Sequence, residues 1–310
     1  MINKKPLVVI MGPTASGKTS LAVDICKKIG GEVITADSMQ VYKKMNIGTA
    51  KPTIEEMQGI KHHMIDVVEP ENSYSLADYV KDATQAIECV YENGNIPVLA
   101  GGTGLYIDTL INGVELNDSN NDENYRKELY DMAADKGNEA VHKLLAKIDI
   151  KSAENIHPNN LKRVIRALEF YKTTGIKQSE HISKGERNSL YNTCKFCLFP
   201  ERNTLYEKIN KSVDIMLMQG LVDEVKSLID GGVSNVCTSM QGIGYKEIAM
   251  YLDNTISLSE AIELIKTGTR RYAKRQITWF KREEKTDFVD NTFGINLDYF
   301  VKSIELSFKI

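Results

Sequence analysis

The stretch Leu7-Val8-Val9-Ile10-Met11-Gly12-Pro13-Thr14-Ala15-Ser16-Gly17-Lys18-Thr19 decides the fold. Its five leading apolar residues read as a strand buried on both faces, and the amphipathic run over 18–28 reads as the helix that follows. Between them stands GxxxxGKT, the pattern in which loop N–H groups and a helix N-terminus cradle phosphate oxygens. Gly12, Pro13, Thr14, Ala15, Ser16, Gly17 and Lys18 are therefore expected to wrap a phosphate or diphosphate. Lys18 adds a point charge, and the Thr19 hydroxyl is placed to reach Mg²⁺. Nothing in the loop singles out ATP.

Outward from this turn, 32–36, 64–68 and 96–100 read as further strands separated by amphipathic stretches, the pattern of parallel βα units. Ligands of open α/β sheets bind beyond the carboxyl ends of the strands. Two such ends carry chemistry here: Asp37 after 32–36, and Gly101-Gly102-Thr103-Gly104 after 96–100. Asp37 follows the strand next in sequence to the P-loop strand and is expected on the adjoining strand tip. From 114 to 192 the pattern turns helical (125–136, 138–147, 160–173) between polar stretches at 116–122 and 182–192. A strand at 193–199 and helices at 204–220, 222–229 and 260–282 follow. The expected fold class is α/β: a P-loop NTPase-like parallel sheet core over 1–114 and 193–310, with a helical domain inserted over 115–192.

The 310 residues allow about two domains. With 42% hydrophobic and 26% charged residues, the composition is that of an ordinary globular protein. Thirty-nine basic against 42 acidic residues exclude a chain that is basic throughout, yet permit a local basic patch. No apolar run near the start approaches the ~20 residues that span a bilayer. Gly12-Pro13 also cuts the first run before a signal-peptide core could form. A cytoplasmic protein without a membrane partner is expected. Cys26, Cys89, Cys194, Cys197 and Cys237 are an odd, scattered set, the usage of free thiols in a reducing compartment. Cys194-Lys195-Phe196-Cys197 lacks the second ligand pair of a zinc site and reads as strand. His62-His63 would point to opposite faces of one strand, which does not suit a shared metal.

The charge is unevenly spread. Between Arg270 and Lys285, seven basic residues face two acids, with Tyr272, Trp279 and Phe280 interleaved. Basic side chains mixed with aromatics suit a nucleic-acid backbone with unstacked bases. Lys162, Arg163, Arg166 and Lys172 form a second basic stripe, with Lys162 and Arg166 one turn apart on a helix.

Taken together, these blocks resemble the bacterial tRNA dimethylallyltransferase (isopentenyltransferase) family. The resemblance rests on 12–19, on Asp37-Ser38-Met39-Gln40-Val41-Tyr42 and on Ile47-Gly48-Thr49-Ala50-Lys51-Pro52. It continues through His62-His63-Met64-Ile65-Asp66, Gly101-Gly102-Thr103-Gly104-Leu105-Tyr106 and Arg163-Val164-Ile165-Arg166-Ala167-Leu168-Glu169. Gly242-Ile243-Gly244-Tyr245-Lys246-Glu247 and Ala273-Lys274-Arg275-Gln276-Ile277-Thr278-Trp279 complete it, in family order.

The resemblance implies transfer of a dimethylallyl group from dimethylallyl diphosphate to N6 of the adenosine 3′ of a tRNA anticodon, releasing diphosphate. It implies Asp37 as general base, Lys18 and Mg²⁺ at Thr19 as partners of the leaving diphosphate, and Thr103 beside the reacting centre and in contact with tRNA. The family's other RNA contacts fall on Ser38, Met39, Gln40, Arg126, Lys162, Arg163, Val164, Ile165 and Arg166. At the C-terminal side they fall on Gln241, Gly242, Ile243, Gly244, Tyr245 and Lys246, and on Lys274, Arg275, Gln276, Ile277, Thr278, Trp279, Phe280 and Lys281. Two positions depart from the family: Ser212 stands where an Arg that helps hold diphosphate is usual, leaving Lys208 or Lys211 to compensate, and Lys281 replaces an Arg. A monomer is expected. The alternatives are an adenylate isopentenyltransferase acting on free AMP, ADP or ATP, a small-molecule kinase, and an RNA-binding paralogue with weakened catalysis.

Overall fold

The computed structural model describes residues 4–113, 122–180 and 189–309. The chain divides into two compact units, Met1–Asn112 with Ser189–Ile310, and Gly113–Asn188. Of the polar stretches expected around the insertion, 116–121 and 182–188 lie outside the described residues.

The first unit is built on a parallel sheet of six strands: β1 (Pro6–Met11), β2 (Gly31–Ala36), β3 (His62–His63), β4 (Ile96–Gly101), β5 (Asn192–Leu198) and β6 (Thr286–Val289). Their order is β3-β2-β4-β1-β5-β6. Strand side chains alternate between faces, so Leu7, Val9 and Met11 of β1 enter one core layer while Val8 and Ile10 enter the other. The first layer is closed by Tyr79, Ile87 and Val90 of α3 (Leu76–Glu92) with Ile107 and Leu110 of α4 (Gly104–Asn112). The second is closed by Leu21 and Ile25 of α1 (Lys18–Ile29) with Phe300 and Ile304 of α13 (Leu297–Phe308). Ser75 starts α3 with a capping box, its hydroxyl on the Asp78 amide and the Asp78 carboxylate returning to the Ser75 N–H.

Two expectations fail here. The strand expected at 64–68 does not form: β3 stops at His63, and Met64 and Asp66 adopt positive φ of 64° and 56°. A left-handed residue cannot stay in a ladder, and the Asp66 and Val67 amides turn back onto the carbonyls of Gln40 and Val41. Asp66 pairs with Lys51 at 2.6 Å. Nor does β2 adjoin β1, because β4 lies between them. A βαβ crossover places its strand by packing, and sequence order does not say on which side of a neighbour it lands.

A third core layer joins residues that are far apart in sequence. Val41, Tyr42 and Met45 pack with Val213, Leu221, Val225, Tyr245 and Ile265. These come from α9 (Arg202–Met218), α10 (Leu221–Asp230), α11 (Tyr245–Leu252) and α12 (Leu258–Phe280). The segment that follows Asp37 is thus fastened to the C-terminal helices. Cys194 and Cys197 sit in opposite layers of β5, and burial pushes the Cys197 thiol up to about 12.

The second unit packs α5 (Glu123–Lys136), α6 (Asn138–Ile148), α7 (Ile150–Asn155) and α8 (Leu161–Thr174) around Leu129, Val141, Leu145, Val164, Ile165 and Leu168. Arg126 pairs at 2.8 Å with the buried Glu169, which offsets the cost of burying that carboxylate.

Candidate active site

The P-loop leaves β1 at Gly12 and enters α1 at Lys18. Helix α1 has no side-chain cap at Gly17 and no acid in its first turn, so its leading N–H groups stay free for an anion. Lys18 is half-buried and donates to the Pro13 carbonyl at 2.6 Å. Burial pushes its ammonium down to about 8, while the charge of Asp37 opposes a further fall.

The loop is braced from the C-terminal half of the chain. Gln276 of α12 is buried; its Oε1 accepts the Thr14 amide at 2.9 Å and its Nε2 donates to the Gly102 carbonyl at 2.9 Å. Asn291, also buried, donates to the Ser16 carbonyl at 2.8 Å. One side chain of α12 therefore ties the loop after β1 to the loop after β4.

Asp37 stands at the tip of β2. Its Oδ1 accepts the Met39 and Gln40 amides at 2.8 and 3.3 Å, which aims the carboxylate and leaves Oδ2 without a hydrogen-bond partner among the described residues. Thr103 fastens the neighbouring tip: its amide donates to the Ala36 carbonyl at 3.1 Å and its Oγ1 accepts the Ser38 amide at 3.2 Å. The two tips meet closely at Gly101, where a Cβ would lie 2.1 Å from the Ala36 carbonyl oxygen. A glycine is required there.

Two adjoining cavities open at these strand ends. One, of about 220 Å³, is lined by 14–19 of the P-loop, Asp37, Gln40, Gly101, Gly102, Ser212 and Tyr272. The other, of about 320 Å³, is more apolar, with Met39, Ile209, Val213, Met216, Ile243 and Ile265 beside Asp37, Ser38, Gln241, Gly242, Gly244 and Arg275. Asp37, Thr49, Ala50, Ser212 and Tyr272 belong to both walls. Tyr272 was legible only as one aromatic of a stripe. Its hydroxyl, pushed up to about 12 by burial, stays protonated between the cavities. Ser212 faces both cavities, whereas Lys208 and Lys211 are exposed and line neither.

The structure sorts the residues expected to meet RNA. On α12, Arg271, Lys274, Arg275, Thr278 and Trp279 form an exposed face, continued by Lys281 and Arg282. Arg275 lies over the Tyr272 ring and Lys281 over the Phe199 ring. The opposite face buries Ala273, Gln276 and Phe280, so Phe280 is a core residue and Gln276 is a brace for the P-loop. Ile277 packs toward Leu205 and Ile209. Tyr245 is buried with its hydroxyl on Glu224, while Lys246 is exposed. In the second unit Lys162, Arg163 and Arg166 are exposed, whereas the side chains of Val164 and Ile165 are buried in its core. Their spacing carried the signal: apolar residues at 164, 165 and 168 form the inward stripe of a helix. Lys172 pairs with Asp122 at 2.9 Å.

His62 and His63 face apart. His62 lines the cavity at the P-loop and meets the Ile60 carbonyl, whereas His63 meets Glu32 at 2.6 Å. No cluster of three His, Cys, Asp or Glu side chains that could hold a metal occurs among the described residues.

Comparison with known proteins places this geometry. The family model described as IPP transferase matches residues 40–283. A tRNA dimethylallyltransferase of Bacillus mycoides is 44% identical over 304 residues, covering 98% of this chain and 96% of that protein. A tRNA isopentenylpyrophosphate transferase structure from Bacillus halodurans is 44% identical, with a TM-score of 0.74 over 99% of both chains. A eukaryotic dimethylallyltransferase described as acting on tRNA is 34% identical, with a TM-score of 0.77 over 89% of this chain and 70% of its own. With a P-loop braced by Gln276, an aspartate set between two cavities and relatives of this closeness, the chain belongs to the IPP transferase family of tRNA-modifying prenyltransferases.

Proposed function

We propose that the protein transfers a dimethylallyl group from dimethylallyl diphosphate to N6 of the adenosine 3′ of a tRNA anticodon. One observation carries this reading: the Asp37 carboxylate stands in the wall common to a phosphate-binding cavity and a more apolar one. The loop amides and Lys18 hold the diphosphate in the first. The flipped adenine enters the second between Met39 and Ile243, since a base must leave its stack to be modified.

An exocyclic adenine amine is a weak nucleophile because its lone pair is delocalised into the ring. As N6 bonds to the allylic carbon, the C–O bond breaks and its electron pair leaves on the diphosphate. The N6 proton passes to the open Oδ2 of Asp37, which is general-base work. Lys18 and the N-terminus of α1 stabilise the charge gathering on the leaving oxygens. Thr103 acts through Ser38, holding the Asp37 tip in place.

The donor set suits Mg²⁺ carried by the diphosphate: the Thr19 hydroxyl lines the cavity, Asp37 is its one carboxylate, and Mg²⁺ keeps several waters and binds through substrate phosphates. When bound there, the ion would neutralise leaving-group charge. Exposed Arg271, Lys274 and Arg275, with Lys162, Arg163 and Arg166 of the second unit, supply charge for the RNA backbone. Arg126 and Lys281 belong to the same proposed RNA-binding set. No helix among the described residues is long and apolar enough to cross a membrane. The reading takes the protein as a cytoplasmic monomer.

The test is to incubate the protein with labelled dimethylallyl diphosphate and Mg²⁺, offering tRNA, AMP or no acceptor. Label is expected in tRNA alone. Label in AMP but not in tRNA, or consumption of ATP in its place, overturns the reading.

A further inference from the structure

Glu224 lies outside both cavities, in the first turn of α10, yet it accepts four hydrogen bonds. Its Oε2 takes the amides of Asn46 and Ile47 at 2.9 and 2.8 Å. Its Oε1 takes the Gly48 amide at 3.1 Å and the Tyr245 hydroxyl at 2.5 Å. Three successive backbone N–H groups converging on one anion make a nest, the arrangement that often binds phosphate. Here a side chain of the protein fills it. The Tyr245 ring closes on the same turn: a Cβ at residue 48 would lie 2.5 Å from it, so only glycine admits the contact.

The turn leads directly into the shared wall. Thr49 and Ala50 line both cavities, and Gln40 Nε2 donates to both of their carbonyls at 3.1 Å. Lys51 secures the far end through the Tyr42 carbonyl and Asn46 Oδ1 at 2.8 and 2.9 Å. These tethers act on carbonyls and one side chain. Glu224 accepts the amides of Asn46, Ile47 and Gly48, and the Tyr245 hydroxyl lies against the Gly48 and Thr49 amides as well.

We propose that Glu224 is a positioning residue for prenyl transfer: with Tyr245 it latches the 46–50 turn so that Thr49 and Ala50 stand as the common wall of the donor and acceptor cavities. The proposal rests on the assignment of those cavities given above. It also links three separated sequence blocks, the turn at 46–50, the start of α10 and the start of α11, through one carboxylate. The charge matters as well as the shape. In Glu224→Gln the amide nitrogen must face either Asn46 and Ile47 or Gly48 and Tyr245, setting donor against donor.

Hydrogen exchange on the full chain and steady-state kinetics test it together. In the unaltered protein the three amides should exchange slowly. Glu224→Gln should speed them by about tenfold or more, the worth of one lost hydrogen bond, with β1 amides unmoved. The KM for dimethylallyl diphosphate should rise by a similar factor of roughly ten, with kcat changing less than about threefold. Tyr245→Phe, which keeps the ring and the amide bonds, should raise KM by about threefold and serves should Glu224→Gln not fold. Fast exchange in the unaltered protein overturns the latch. Released amides with an unmoved KM overturn its role in transfer, as does an unmoved KM in Tyr245→Phe. Absence of any transfer by the unaltered chain sinks the functional reading instead, and slow exchange at the three amides tells that failure apart.

Discussion

Gln276→Leu separates a brace of the phosphate loop from an RNA contact. Leucine keeps most of the buried volume beside Ala273 and Phe280 while deleting both 2.9 Å hydrogen bonds. A neutral hydrogen bond is worth about 1 kcal/mol net, and a buried group left unpaired costs about 1–3 kcal/mol. Losing the acceptor of the Thr14 amide and the donor to Gly102 therefore amounts to about 2 kcal/mol. Because the brace shapes the phosphate cavity, that energy should emerge mainly in donor binding, as a rise in the KM for dimethylallyl diphosphate of roughly 10–30-fold. Initial rates with donor varied at saturating tRNA measure it, and equilibrium tRNA binding at fixed salt supplies the control. The tRNA Kd should stay within about twofold, since Gln276 is buried on the inner face of α12. Weakened tRNA binding with an unchanged donor KM would refute the reasoning and return Gln276 to the RNA-contact set in which its sequence position had placed it.

Three other outcomes follow from the same geometry. Asp37→Ala should cut kcat by about 10²–10⁴-fold, the usual worth of general-base catalysis, with donor affinity little changed; undiminished turnover would remove Asp37 from that role. Replacing Lys274 and Arg275 together by Gln should weaken tRNA binding and flatten the plot of log affinity against log salt by about two units of slope, and an unaltered slope would make them ordinary solvated surface. Lys18 carries its charge below about 8 in the unliganded protein and loses it above. The ratio of affinities for inorganic diphosphate between the unaltered protein and Lys18→Met, which cancels the ligand's own ionisation, should therefore be constant below that pH and fall by up to about tenfold per pH unit above it, as titration calorimetry can follow. An affinity ratio that does not change across that range would remove the Lys18 ammonium from diphosphate binding.

Much of the framework was legible because it rests on local rules. An apolar run buried on both faces, a glycine turn and an amphipathic helix specify a βα unit wherever they occur, and the strands at 32–36, 96–100 and 193–199 formed within a residue or so of their expected ends. The strand expected at 64–68 failed because its apolar residues are pinned by left-handed turns at Met64 and Asp66, which side-chain pattern does not reveal. Strand β6 is short and half-exposed, so no apolar run announced it. Among the RNA-facing candidates, motif membership could not separate exposed Lys274 from buried Gln276 or Phe280. Helical period could: 273, 276 and 280 follow the inward stripe.

The sequence by itself determined the glycine-rich loop between the first strand and helix, the acid beyond the second strand and the basic faces, because each depends on residue types at short fixed spacings. Tertiary structure alone decided that β4 separates Asp37 from the P-loop strand, that Gln276 braces a loop 262 residues away and that Glu224 fills a nest at Asn46–Gly48. Such contacts are set by how helices and strands pack through a shared core, and packing is indifferent to distance along the chain.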